Sequence, residues 1–247
     1  MSKQLEGKVA FVTGGSRGIG AAIVTRLAQD GAAVAFTYTS AKPKADELVK
    51  AIESAGGKAL AIRADNSNAS DVKNAVVETV KKLGRLDILV NNAGIIIVKP
   101  LNEVTPDDFD RMVSINVKGA FVAILEAQRH MRDGGRIINI GSCNSEYVHF
   151  AGGVLYVLTK SAIAGMTKAL SRDLGPRGIT INNVQPGPTD TDLNPASGEG
   201  AVQTRQYTAL QRYAKPAEVA DFVAYLASPG ASYITGAGLR VDGGYAS

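Results

Sequence analysis

Tyr156 and Lys160, in the stretch YVLTK, are the pair whose types and spacing could most directly do chemistry. On a helix, residues four apart share a face, so the ammonium can reach the space beside the phenol. A phenol ordinarily titrates near 10 and is a poor acid–base group at neutral pH. A positive neighbour favours phenolate, so Lys160 is expected to lower the pKa of Tyr156, and it can also donate to the ribose of a bound cofactor. Ser142 lies fourteen residues before the tyrosine, at the end of a strand-like run. A serine hydroxyl and a phenol converging on one point suit a carbonyl oxygen, because each can donate a hydrogen bond and the tyrosine can surrender its proton. In isolation a tyrosine–lysine pair reads more simply as a half-buried aromatic beside a snorkelling lysine stem. The rest of the chain decides between the two.

A second chemical feature is TGGSRGIG, Thr13 to Gly20, directly after the first strand-like run and before a helical pattern. Backbone N–H groups at such a turn converge on an anion, the helix dipole favours negative charge, and glycines admit a pyrophosphate closely. Gly14, Ser16, Arg17, Gly18, Ile19 and Gly20 are therefore candidate cofactor contacts, although tight turns also collect glycine. An acid at the end of the second strand would serve NAD by accepting from the adenosine ribose. Here Tyr38, Thr39 and Ser40 stand in its place, with Arg17 and Lys42 nearby, a bed that suits a 2′-phosphate and points to NADPH over NAD. Asp65 and Asn66 follow the third strand, and Asn92, Ala93 and Gly94 of NNAG follow the fourth, where they can flank the adenine and ribose or form a plain turn.

Positioning these residues requires an alternating scaffold, and the chain supplies one. Strand-like runs at 9–13, 33–38, 59–63, 88–91, 137–141, 180–184 and 238–241 alternate with helical patterns at 21–29, 44–54, 72–82, 106–131, 155–174 and 217–226. Runs such as IINI and DILV are apolar on both faces, as strands covered by helices on both sides must be. The expected fold is α/β, a single doubly wound domain over 1–247 with a seven-stranded, mostly parallel sheet and helices on both faces. The one long irregular stretch, Pro186 to about Thr204 within a segment of about 186–212, is expected to be a substrate lid.

Composition narrows the function classes. With 247 residues, 45% of them hydrophobic, one domain can bury a sizeable core. One cysteine precludes an internal disulfide, and two histidines far from any cluster argue against a metal site. No apolar run approaches the roughly 18 residues of a membrane span, and no signal core is visible at the start, so a cytoplasmic protein without membrane partners is expected. The net charge is +4, but cations are scattered among acids, which does not suit nucleic acid.

TGGSRGIG, NNAG, Asn116 in INVKGAF, Ser142, YVLTK and PGPTDT, in that order and across essentially the whole chain, resemble the short-chain dehydrogenase/reductases. The resemblance implies a Rossmann-type cofactor site and a catalytic set of Asn116, Ser142, Tyr156 and Lys160. Tyr156 would be general acid in ketone reduction and general base in alcohol oxidation, Ser142 would orient the carbonyl, Lys160 would hold the nicotinamide ribose, and Asn116 would hold a water in a proton relay. Pro186, Gly187, Thr189 and Thr191 would meet the nicotinamide end. The family's serine usually lies thirteen residues before its tyrosine; the extra residue here bears on the substrate pocket, for which Ile96, Cys143, Tyr147, Phe150, Leu155, Pro188 and Leu193 are candidates, with Val154 and the rest of Ile95–Val98 nearby. The function expected is NADPH-dependent reduction of a free ketone in a homotetramer. A 3-oxoacyl carrier-protein reductase is the alternative, with Arg129, Arg132, Arg172 and Arg177 as a docking face interrupted by acids. A nucleotide-binding regulator without turnover is the alternative of another class.

Overall fold

The computed structural model describes residues 3–247. Seven strands, β1 (Val9–Val12), β2 (Ala33–Tyr38), β3 (Lys58–Arg63), β4 (Leu86–Asn91), β5 (Met131–Ile140), β6 (Thr180–Pro186) and β7 (Gly238–Val241), form one sheet in the order β3-β2-β1-β4-β5-β6-β7. Every pairing is parallel, so the sheet is wholly rather than mostly parallel.

Successive strand residues point to opposite faces, and both faces are apolar. Ala10, Val12, Val34, Phe36, Ile88 and Val90 face α1 (Gly18–Gln29), α2 (Lys42–Ser54) and α8 (Pro216–Ala227). Phe11, Ala35, Leu89, Ile137 and Ile181 face the other way, toward α3 (Ala69–Leu83), α5 (Gly119–His130) and the end of α6 (Val154–Leu174). Two cores therefore share one sheet. Chain order reverses between β1 and β4, which opens a crevice beyond their carboxyl ends.

The expected single helix over 106–131 is interrupted. It consists of α4 (Pro106–Val113), a π-helical turn at Ser114–Lys118, and α5; Met131 already belongs to β5. The turn has a tertiary cause. The Asn116 side-chain amide donates to the Ile95 carbonyl at 2.9 Å and to Thr159 Oγ1 at 3.1 Å, its oxygen accepts from Ile95 N at 2.8 Å, and Asn66 Nδ2 donates to the Ile115 carbonyl at 2.7 Å. These bonds bind the π turn to the ends of β3 and β4 and to α6. The segment after β6 is not wholly irregular either, since it contains α7 (Ala201–Gln206).

Candidate active site

The glycine turn between β1 and α1 is shaped by close backbone approach. Gly14 and Gly18 have positive φ of 65° and 55°, and a Cβ on Gly20 would lie 2.3 Å from the Gly14 carbonyl oxygen and 2.5 Å from Asn92 Nδ2. Only glycine fits there. The N-cap residue, Arg17, is extended and gives the helix no side-chain cap, so first-turn N–H groups face the crevice available to an anion. Thr13 Oγ1 accepts from the N–H groups of Asn92 and Ala93 at 3.0 Å each, and Asn92 Nδ2 donates back to the Thr13 and Gly14 carbonyls at 3.0 and 2.9 Å, which locks NNAG to the glycine turn.

A cleft of about 830 Å³ runs along the carboxyl edge of the sheet. It is lined by Gly14, Ser16, Arg17, Gly18, Ile19 and Gly20, by Tyr38, Thr39 and Ser40, by Asp65 and Asn66, by Asn92, Ala93 and Gly94, and by Pro186, Gly187, Thr189 and Thr191. Lys42 is not among them: its ammonium pairs along α2 with Asp46 at 2.7 Å, an exposed i,i+4 pair. Asp192, beyond Thr191, forms a 3.0 Å ion pair with Lys44 of α2, and its pKa is lowered mainly by that partner, with Arg17 adding to the effect. The β6–α7 segment is thereby tied across the cleft to α2.

Ser142, Tyr156 and Lys160 line the same cleft. Lys160 is buried, donates to the Ile140 carbonyl at 2.8 Å, and stands 5.7 Å from the centre of the Tyr156 ring. Burial lowers its pKa to about 8. For Tyr156 the expected direction is reversed in the structure: burial raises the phenol pKa, Ser142 opposes the rise through a hydrogen bond, and Lys160 is not among the groups that shift it. Asn116 does not line the cleft. Its amide nitrogen donates to the Ile95 carbonyl and to Thr159 Oγ1, and its oxygen accepts from Ile95 N, so the side chain fastens the π turn and keeps one lone pair on that oxygen.

A family model described as enoyl-(acyl carrier protein) reductase matches residues 14–246. A short-chain dehydrogenase/reductase from Serratia marcescens is 56% identical, with a TM-score of 0.97 over 99% of this chain and 100% of its own. The chain belongs to the short-chain dehydrogenase/reductase family. It is an oxidoreductase of that family. A blue fluorescent protein from a metagenomic library, solved in complex with NADPH, is 55% identical with a TM-score of 0.97 over 99% of this chain and 100% of its own. The Escherichia coli cyclic-di-GMP-binding biofilm dispersal mediator protein is 46% identical over 97% of both chains.

Within this short-chain dehydrogenase/reductase, the wall beyond Ser142 and Tyr156 contains Ile96, Cys143, Phe150, Pro188 and Leu193. Tyr147 and Leu155 do not line it, nor do Ile97, Val98 and Val154. Tyr147 is turned outward onto His149, with ring centres 4.5 Å apart, and Leu155, about 100° around α6 from Tyr156, points into the protein at 6% exposure. Several lining groups escape the sequence motifs, Ala41, Ser67, Asn144, Asp192 and Asn194 among them. Arg111, with Ser114 and Ile115, comes from the α4 side, hidden in a pattern that reads as continuous helix; Thr204 comes from α7; Tyr245 comes from the C-terminal tail, which carries no local signal. Among the described residues no cluster of three or more potential ligands could hold a metal, and no helix is long and apolar enough to cross a membrane.

Proposed function

We propose that the protein is an NADPH-dependent reductase of a free ketone, with Tyr156 as general acid. The observation that carries this reading is that Ser142, Tyr156 and Lys160 open onto one cleft with an uncapped, glycine-lined helix N-terminus. The crowding at Gly20 and the first-turn N–H groups of α1 fit a dinucleotide pyrophosphate. Arg17, Thr39 and Ser40, with no carboxylate at the end of β2, fit a 2′-phosphate. The NADPH complex of the metagenomic relative supports the same cofactor.

When bound, the reduced cofactor supplies a hydride to the carbonyl carbon. Ser142 and Tyr156 donate hydrogen bonds to the carbonyl oxygen, and Tyr156 passes its proton there as charge develops. A phenol whose pKa is raised by burial holds that proton at neutral pH, as a general acid must. Lys160 contributes in the transition state, where its charge lies 5.7 Å from the ring centre as phenolate forms. One of its N–H groups is spent on Ile140, which leaves two for a ribose. Asn116 acts as a positioning residue that fixes Ile95 and, through it, the NNAG loop.

Carrier-protein docking is disfavoured by the placement of the candidate arginines. Arg129 lies in the last turn of α5, Arg132 at the start of β5, Arg172 in the last turn of α6 and Arg177 shortly before β6, so all four stand at the amino edge of the sheet, opposite the cleft. Arg177 is further occupied by Asp133 at 3.2 Å and by the Gln128 and Met131 carbonyls. The name of the E. coli relative favours a second reading, cyclic-di-GMP binding without turnover. Self-association into a homotetramer is supported by exposed Phe121 and Leu125 on α5 and Leu158 on α6, and sedimentation tests it.

Initial rates with NADPH across a ketone panel, with a carrier-protein thioester and a cyclic-di-GMP titration alongside, separate these readings. Tyr156→Phe keeps the ring and removes the proton, so ketone reduction is expected to fall at least about 100-fold with NADPH affinity nearly intact. Retention of most of the rate excludes Tyr156 as the acid. At least about tenfold preference for NADPH over NADH is expected, and Thr39→Asp, by repelling the 2′-phosphate, should move that preference toward NADH. Equal efficiency of the unmutated enzyme with both cofactors overturns the assignment of Arg17.

A further inference from the structure

Among the polar groups lining the cleft that the reaction described above does not use, Tyr245 has a phenol. Tyr245 lines the cleft at only 7% exposure, and its hydroxyl has no hydrogen-bond partner among the described residues. It packs with Cys143, the residue after Ser142, and so stands near the catalytic serine.

The tail that carries Tyr245 is built rather than loose. Asp242 accepts from the N–H groups of Gly244 at 3.0 Å and Ala246 at 3.1 Å, and Arg240 donates to the Ala246 carbonyl. His149 Nε2 meets the Tyr245 carbonyl at 2.9 Å, and its ring lies edge-to-face with that of Tyr245 and stacked on that of Tyr207, with centres 4.5 and 4.4 Å apart. Leu210 N donates to the Gly243 carbonyl at 3.1 Å, tying the tail to the chain beyond α7. Three separate segments thus hold one phenol against the cleft.

The cleft's apolar lining includes Phe150, Ile96, Leu193 and the buried thiol of Cys143, on which Tyr245 packs, and its uncharged polar lining includes Asn144 and Thr204. The cleft's arginines lie elsewhere, Arg17 at the glycine turn and Arg111 with Ile115, which Asn66 bonds on the adenosine side. A carboxylate or phosphate on the substrate would find no counter-ion at this end, whereas a neutral acceptor would find a donor. Burial raises the Tyr245 pKa to about 12, so the hydroxyl keeps its proton throughout the working range.

We propose that Tyr245 is a specificity-determining residue whose hydroxyl donates to a second, neutral acceptor on an apolar or aromatic ketone, such as an ether or ester oxygen remote from the reacting carbonyl. The inference rests on the ketone-reductase reading for the identity of the site, and its test reads binding as well as turnover. Two aryl ketones matched in size, one carrying a remote ether oxygen and one a methylene in its place, are titrated into the enzyme with NADP bound, and their KM values are measured with NADPH. The native enzyme should prefer the ether ketone about fivefold, the discrimination of one neutral hydrogen bond, and in Tyr245→Phe the ratio should fall to about one. An equal ratio in native and Tyr245→Phe proteins, or tighter binding of a matched carboxylate-bearing ketone than of the ether, overturns the proposal. Ether preference in binding without turnover of either ketone upholds Tyr245 while overturning the reductase reading.

Discussion

Lys160 shows how one residue can serve a reaction at the expense of the fold. Its ammonium is buried with a single carbonyl partner, and its pKa is lowered to about 8, while an unfolded lysine titrates near 10.4. Between those values the unfolded chain binds more protons than the folded one, so stability rises with pH across the window. Below about pH 8 the buried charge carries its full penalty, and that penalty fades as pH approaches 10.4. Lys160→Met keeps an unbranched apolar stem and removes the charge. The variant is expected to melt higher than the native protein at pH 7, with the advantage shrinking between pH 8 and 10, and to lose NADPH-dependent reduction. A variant melting lower at pH 7 in thermal scans would show that the Ile140 hydrogen bond outweighs the desolvation it accompanies.

Two elements set the cleft's shape, the π turn around Asn116 and the segment after β6. The second crosses the glycine turn closely: Thr191 Cγ2 lies 3.4 Å from where a Cβ on Gly18 would be, and Asp192 then reaches Lys44 on α2. This places a strap over the position proposed for the pyrophosphate. Both ends of the ion pair are more than half exposed, so it is weak and is weakened further by salt. Lys44→Ala should accordingly speed NADPH release by up to about fivefold at low ionic strength, with the difference vanishing near about 1 M salt. Stopped-flow nicotinamide fluorescence reads the rate, and release unchanged at low salt would show that the pair does not restrain the segment.

At the scale of the whole molecule, the two cores share every central strand, with Ala10 and Val12 on one side of β1 and Phe11 on the other. Neither side can lose its packing without stripping the sheet that the other packs on, so thermal unfolding should be a single transition. The proposed cofactor touches β1, β2, β3, β4, β5 and β6 through their carboxyl ends and so binds only the intact sheet. NADPH at about 100 times its dissociation constant should add about 2.7 kcal/mol, raising the melting temperature by roughly 5–10 °C for a chain of this size. Calorimetry showing two transitions, with only one moved by NADPH, would mean that the cores melt apart.

What the amino-acid sequence by itself determined was the alternation of elements and the placing of the glycine turn, Ser142, Tyr156 and Lys160. Those features are written locally: β-branched runs apolar on both faces, glycines where a Cβ has no room, and side chains one helical turn apart. The tertiary structure decided what depends on contacts between distant segments. Asn116 lies in a stretch of unbroken helical pattern, and its bonds to Ile95 and Thr159, with that of Asn66 to Ile115, hold the π turn that the pattern does not show. The charge beside Tyr156 reads as a reason for a low phenol pKa, but burial, which no spacing rule records, sets the direction upward. Tyr245 is a tail residue in the chain and a cleft wall in the fold, because Asp242 bends the tail, Leu210 ties it to the chain beyond α7, and His149, 96 residues earlier, joins it to the loop after β5.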